Sequence, residues 1–132
     1  MRNLAAVADL LTDIARPAPA GFRLDAARGI LAGKQAMRDI LPAGLVYDPA
    51  VEILLSLYLA TAKGGLSRAE LGATAGLPPT VAWRWIAALE QRGLIDVSGA
   101  AEGSWAALSR DGLVCATQAI DAVLDRQAAL LN

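Results

Sequence analysis

Residues 67–109, SRAELGATAGLPPTVAWRWIAALEQRGLIDVSGAAEGSWAALS, carry the pattern that decides the fold. Ser67 with Glu70 three residues later forms a capping box, in which each side chain bonds the other residue's backbone amide. This motif predicts the start of a helix, and Gly76 predicts its end. Two consecutive prolines follow, and each keeps the residue before it out of helical geometry. The sequence therefore predicts a helix that is followed by a short turn.

A second helix is predicted from Pro79 or Thr80, because proline fits the first turn of a helix. Its apolar positions fall four and three residues apart and form one inward stripe, Ala82, Ile86 and Leu89, with Trp85 beside it. Gly93 supplies the stop, and the branched residues of 94–97, LIDV, predict a strand. Ser98, Gly99, Gly103 and Ser104 then belong to a hairpin. The expected fold class is mainly α, a winged helix-turn-helix with a small two-stranded wing.

The run 46–116 resembles the winged-helix domain of MarR-type bacterial transcriptional regulators. The similarity lies in YDPAVEILLSLYLA (47–60), LPPTVAWRWIAALEQRGLI (77–95) and ALSRDGLVCA (107–116). In that family a leucine, a charged residue, a glycine and two apolar residues close the recognition helix, as in LEQRGLI (89–95). A leucine, a serine or threonine and a glycine close the wing, as in LSRDG (108–112). The resemblance implies a DNA-binding transcription regulator that reads a short palindromic site as a homodimer.

Helices are also predicted on both sides of this run. Residues 2–15 and 24–41 place apolar side chains three and four apart, at Leu4, Val7, Leu11 and Ile14 and at Leu24, Ala27, Leu31, Met37 and Leu41, with Lys34 in the second stripe. Asp48 as N-cap and Pro49 in the first turn begin another helix. Its expected apolar face consists of Val51, Leu54, Leu55, Tyr58 and Leu59.

The final helix has Ser109 as its expected N-cap and runs toward Leu130. A heptad-like seam follows it, Leu113, Ala116, Ile120, Val123, Gln127 and Leu130. The seam fits either a core-facing helix or a dimer contact, and the family resemblance implies the dimer. The expected divisions are N-terminal helices for dimerisation and core support (1–45), the winged domain (46–112) and a C-terminal dimerisation helix (113–132).

Composition excludes several classes of function. The chain has 132 residues, 55% of them hydrophobic and 19% charged, which is rich in apolar residues for a soluble monomer and favours an oligomer. No apolar run is long enough for a membrane span and no signal peptide is recognised, so a cytoplasmic protein without a membrane partner is expected. With no histidine and a single Cys115, no metal, cofactor or enzymatic activity is expected. Cys115 is interpreted as a small buried hydrophobe.

The outer face of the second helix is the expected DNA-reading surface, with Thr80, Val81, Trp83, Arg84, Ala87 and Ala88. Arg84 could bond a guanine bidentately or a phosphate, Thr80 a base edge or the backbone, and Val81 a thymine methyl. Ser67 and Arg68 resemble phosphate contacts at a helix N-terminus. Ser98 and Ser104 are the candidates from the wing.

An alternative function is left open by the charge of this segment. The wing has no Lys or Arg, and residues 64–112 hold four arginines (68, 84, 92, 110) against five acids (70, 90, 96, 102, 111), a net charge of minus one. Few cations predict weak DNA binding with a shallow salt dependence. Trp83 beside Arg84 also has the composition of a protein-interface hot spot, so the alternative is a protein-interaction module. The resemblance further implies a small-molecule pocket near Met37, Tyr47 and Tyr58.

Overall fold

The computed structural model describes residues 20–45, 48–99 and 103–131. The helices it contains are α1 (Ala20–Ile40), α2 (Pro49–Leu59), α3 (Arg68–Ala75), α4 (Pro79–Gln91) and α5 (Arg110–Leu131), with a 3-10 turn at Thr61–Lys63. The strands are β1 (Leu66–Ser67), β2 (Ile95–Ser98) and β3 (Trp105–Leu108). The mainly α winged helix-turn-helix is thus confirmed. The predicted helix at 2–15 lies outside the described residues.

The sheet contains one strand more than the sequence predicts. β2 and β3 form the predicted antiparallel hairpin, and β1 joins the other edge of β3 in the order β1-β3-β2. Gly65 makes this possible, because its φ is 121° and a Cβ there would lie 2.1 Å from the Ala106 carbonyl oxygen. Trp105 Nε1 donates to the Gly64 carbonyl at 2.9 Å. Trp105 therefore ties the wing to the turn before α3.

α2 lies at the centre and contributes to two apolar clusters. One cluster lies beneath the helix-turn-helix and contains Ile53, Leu57, Leu71, Ile86, Leu89 and Ile95. The other joins α1 to α5 through Ala27, Leu31, Leu55, Tyr58, Ala116 and Ile120. Because neighbours cover α2 on two sides, its buried residues do not form a single stripe. The prediction that Val51 belongs to the apolar face is wrong, since Val51 is 37% exposed.

The two long helices, α1 and α5, are joined by an ion pair in addition to apolar contacts. Arg23 Nε and Nη2 donate to the Asp121 carboxylate at 2.9 and 2.5 Å, and this partner raises the pKa of Arg23. α1 begins four residues before the predicted start at Leu24. Among the described residues, no helix is long and apolar enough to cross a membrane.

α5 begins at the predicted position. The Ser109 hydroxyl accepts the Gly112 amide at 2.9 Å and donates to the Gly93 carbonyl. Ala116 and Ile120 are buried, as their seam predicts, whereas Leu130 is 86% exposed. The interpretation of Cys115 as a buried hydrophobe is wrong, because the side chain is exposed. A position next to buried Ala116 in sequence lies about 100° away around the helix.

Candidate nucleic-acid interface

The predicted local signals position the two helices of the candidate interface. The Glu70 amide donates to Ser67 Oγ at 3.2 Å, and the Ser67 amide donates to Glu70 Oε1 at 3.0 Å, which completes the capping box. α3 ends where Gly76 adopts a left-handed φ of 63°. The Leu77 amide then bonds the Gly72 carbonyl at 2.9 Å. This turn leads directly to α4, which begins at Pro79 as predicted.

α4 presents one face to the core and the other to solvent. Its inward stripe is confirmed, since Ala82, Ile86 and Leu89 are 0%, 1% and 5% exposed. On the opposite face Thr80 and Arg84 are exposed, one turn apart near the helix N-terminus. In a helix-turn-helix this part of the second helix reaches base edges.

Three positions of the predicted outer face are less open than expected. Val81, Trp83 and Ala87 were expected toward the outside of the helix, and each of these side chains is half-buried. Trp83 packs against the apolar cluster beneath the helix-turn-helix. Its ring is also covered by Arg68, whose guanidinium carbon lies 4.4 Å from the ring centroid.

The Arg68–Trp83 stack joins the start of α3 to α4. A guanidinium over an indole ring is stabilised by about 0.5–1 kcal/mol at an exposed site and by more where water is excluded. The stack reduces the rotamer freedom of Arg68 and holds its charge over Trp83, the residue that precedes Arg84 in α4. A positive side chain of α3 is therefore fixed against α4.

Ser67 is less suited to a phosphate contact than the sequence predicts. Its hydroxyl already accepts from Glu70, and the Glu70 carboxylate lies at the N-terminus of α3. The pKa of Glu70 is lowered, first by the Ser67 amide and then by the Lys63 ammonium, 3.2 Å away, and the Ser67 hydroxyl. Since the ionised carboxylate would repel a phosphate there, the geometry favours Arg68 and Arg84 as the anion contacts.

The two serines of the wing differ in exposure. Ser98 is exposed at the end of β2, where it pairs with Trp105. Ser104 is only 3% exposed, and its backbone carbonyl accepts the Arg68 amide at 3.2 Å. The expectation that Ser104 contacts DNA is therefore corrected, since Ser104 instead anchors the start of α3. The wing tip at 100–102 lies outside the described residues.

The remaining charges leave Arg84 available for a ligand. Within residues 20–45, 48–99 and 103–131, Arg84 has no ion-pair partner, whereas Lys63 is paired with Glu70. The same ranges contain no group of three or more His, Cys, Asp or Glu side chains that could hold a metal ion. Arginines and a hydroxyl on an exposed helix face are suited to phosphate and base-edge contacts.

The residues expected near a small-molecule pocket differ in exposure. Tyr58 is buried at 8% exposure, Met37 is 49% exposed, and Tyr47 lies outside the described residues. A groove of about 440 Å³ lies between α1 and α5. Its lining includes Phe22, Ala26, Ile30, Val123 and Leu124.

Comparison with known proteins connects this geometry to solved folds. No protein-family model matches the chain, and no curated protein matches it closely. MepR of Staphylococcus aureus, a transcription regulator of the multidrug efflux pump MepA, is 14% identical over 98% of this chain and 82% of its own, with a TM-score of 0.53. AF1382 of Archaeoglobus fulgidus is 17% identical over 70% of this chain and 96% of its own, with a TM-score of 0.53.

A Ralstonia eutropha JMP134 protein to which DNA binding is attributed has a higher sequence identity, 37% over 54% of this chain and 94% of its own, with a TM-score of 0.48. The fold is shown by the helix-turn-helix and wing described above and by the superpositions on AF1382 and MepR, each with a TM-score of 0.53. The chain has the winged helix-turn-helix fold found in MarR-type transcription regulators.

Proposed function

We propose that this protein is a non-enzymatic transcription regulator that binds double-stranded DNA through the exposed face of α4. The observation that carries the proposal is the placement of Arg84 and Thr80 on the free N-terminal half of α4, beside Arg68 stacked on Trp83. Inserted in a major groove, that half of α4 meets base edges while flanking residues meet phosphates. Arg84 is the principal base-reading candidate and Arg68 the principal phosphate contact.

The charge distribution supports modest rather than tight non-specific affinity. Each phosphate that is neutralised contributes about −0.9 to the slope of log affinity against log salt. With Arg68 and Arg84 as the main cations of the described interface, sequence discrimination must come largely from α4 itself. Binding is therefore expected to be selective and to depend less on salt than in strongly basic winged-helix proteins.

We further propose that the DNA-binding species is a homodimer that reads a roughly palindromic site. Apolar side chains at the outer ends of α1 and α5 support a partner surface: Phe22 is 62% exposed and Leu131 is 88% exposed. Two equivalent α4 helices related by a twofold axis would read two equivalent half-sites about one DNA turn apart. The oligomeric state follows from sedimentation of the purified protein, and a monomer at all concentrations would contradict this part.

Replacement of Arg84 tests the proposal directly. Arg84→Ala should weaken binding to a selected DNA site by about 5- to 150-fold if Arg84 reads a base, equivalent to about 1–3 kcal/mol. If it contacts only phosphate, the loss should be similar on all sequences, with a shallower salt slope. Arg92→Ala is the matched control, because Arg92 is an exposed arginine at the other end of α4. Equal affinities for the wild type and both variants would contradict the role of Arg84.

The alternative of a protein-interaction module depends on an open tryptophan at position 83. The ring is half-buried and lies beneath Arg68, so its apolar face is already in use within the chain. A hot-spot tryptophan would need to lose that stack before it could bind a partner. The geometry therefore favours DNA over a protein as the ligand of this face.

A further inference from the structure

We infer that Arg38 is a positioning residue that fixes the orientation of the DNA-reading helices relative to α1 and α2; the inference rests on the proposed function. One guanidinium nitrogen of Arg38 donates to Glu52 Oε2 at 2.6 Å and to the Ala75 carbonyl at 3.0 Å. Arg38 belongs to α1, Glu52 to α2 and Ala75 is the last residue of α3. Three helices therefore meet at a single side chain.

The contact with α3 lies at the end of the helix, next to the turn that leads to α4. The last carbonyls of a helix have no partner within the helix and carry its negative dipole end. Arg38 satisfies the Ala75 carbonyl, and Gln35, one turn earlier on α1, donates to the Thr74 carbonyl at 3.1 Å. The guanidinium also packs against Gly76, where a Cβ would lie 3.3 Å from Arg38 Cζ. Two side chains of α1 thus hold the last turn of α3.

Glu52 keeps Arg38 in this position. The Glu52 side chain is only 5% exposed, whereas that of Arg38 is 28% exposed. Withdrawal of Arg38 toward α3 or solvent would leave a buried carboxylate without its partner, which is strongly unfavourable. A second pair, Lys34 with Asp48, joins the same two helices one turn away. Arg38 is consequently held in place by α1 and α2, and it acts on the end of α3.

The end of α3 determines where α4 begins. Only Gly76, Leu77 and Pro78 separate the two helices, and two of these three have restricted or special backbone geometry. A shift at Ala75 is therefore passed to the first two turns of α4, which carry Thr80 and Arg84. Arg38 touches no proposed DNA contact itself and acts through the position of this turn.

The test separates positioning from stability by replacing the ion pair rather than breaking it. In Arg38→Met/Glu52→Leu the buried pair becomes apolar, an exchange that is often neutral or stabilising. The double variant should unfold near the wild-type temperature, yet bind a selected DNA site about 2- to 30-fold more weakly, the range typical of residues that couple distant sites. The Leu77 amide should also exchange its hydrogen at least about tenfold faster. Arg28→Met, which removes an exposed arginine of α1, should change neither quantity.

Arg38→Lys provides a second variant, because an ammonium keeps the charge for Glu52 but lacks the planar fork of the guanidinium. The Arg38→Lys variant should show the same faster hydrogen exchange at the Leu77 amide. Folded variants with wild-type DNA affinity and wild-type exchange would overturn the inference. If the wild type itself binds no DNA, the proposed function fails, while faster exchange at Leu77 in the variants would still support the positioning role.

Discussion

Replacement of Gly112 by alanine should destabilise the junction between the wing and α5. An ideal Cβ at this position would lie 1.8 Å from the Leu94 carbonyl oxygen and 2.8 Å from its carbonyl carbon. The oxygen has little freedom to retreat, because it accepts the Ser109 amide at 3.0 Å. Either α5 or the backbone before β2 must therefore move by more than an ångström.

The size of the destabilisation by Gly112→Ala follows from two opposing effects. Overpacking of a filled interior costs about 1–3 kcal/mol and occasionally more, and here the obstacle is backbone rather than a flexible side chain. Replacing a helical glycine by alanine returns up to about 1 kcal/mol of helix propensity. Because the clash is with backbone, we expect a cost of about 3–4 kcal/mol, at or above the upper end of this range. The net loss in the free energy of unfolding is then about 2–3 kcal/mol, or roughly 10 °C in Tm for a chain of this size.

Gly33→Ala is the matched control for this prediction. Gly33 also lies within a helix, but nothing lies within 4 Å of a Cβ added there. The same substitution should therefore stabilise the protein by about 0.5–1 kcal/mol. Urea unfolding followed by tryptophan fluorescence, at a fixed protein concentration, measures both changes. A Gly112→Ala protein at least as stable as the wild type would refute the packing described at this junction.

Three further predictions concern the core and its connections. Leu57→Ala should lower the free energy of unfolding by about 2–5 kcal/mol, because this side chain is fully buried in the cluster beneath the helix-turn-helix. Urea unfolding measures the loss. Trp105→Phe removes the bond to the Gly64 carbonyl and should cost about 1 kcal/mol in the same assay, with little change in far-ultraviolet circular dichroism. Ionised Glu70 stabilises the fold at pH values above the pKa that this residue has in the unfolded chain. The stabilisation is lost as the pH falls through the lower pKa that Glu70 has in the folded protein. The stability gap between wild type and Glu70→Gln should therefore be largest near neutral pH and close as the pH falls below the usual range of a glutamate carboxyl; a gap that widens in acid would contradict the capping role.

Local signals predicted the helix-turn-helix well. The Ser67 cap, the Pro79 start and the inward positions of α4 each depend on residues within one or two turns of one another. Such interactions are encoded in short spacings, and the structure confirms them. The Leu-Ser-x-x-Gly pattern at 108–112 also acquires a physical reason, since only glycine permits the close approach of α5 to Leu94.

Interactions between distant segments could not be predicted in the same way. Arg68 and Trp83 are brought together by the turn between α3 and α4, and Arg38 reaches Ala75 across 37 positions of the chain. The pairing of β1 depends on where Gly65 places the backbone against β3. The spacing of apolar residues along the sequence does not indicate contacts between segments this far apart. Cys115 is exposed because of its position around α5, which the apolar character of its sequence neighbours does not determine.

The most direct test of the central claim is fluorescence anisotropy of the wild-type protein with genomic DNA fragments at about 50 and 200 mM salt. With Arg68 and Arg84 of two subunits as the main cations, the slope of log affinity against log salt should lie between about −2 and −4, depending on whether Arg84 contacts a base or a phosphate. We expect binding to a selected subset of fragments, weakened about 10- to 200-fold over this range of salt concentration. Absence of binding at 50 mM salt, or equal affinity for all fragments, would contradict the claim that α4 reads DNA.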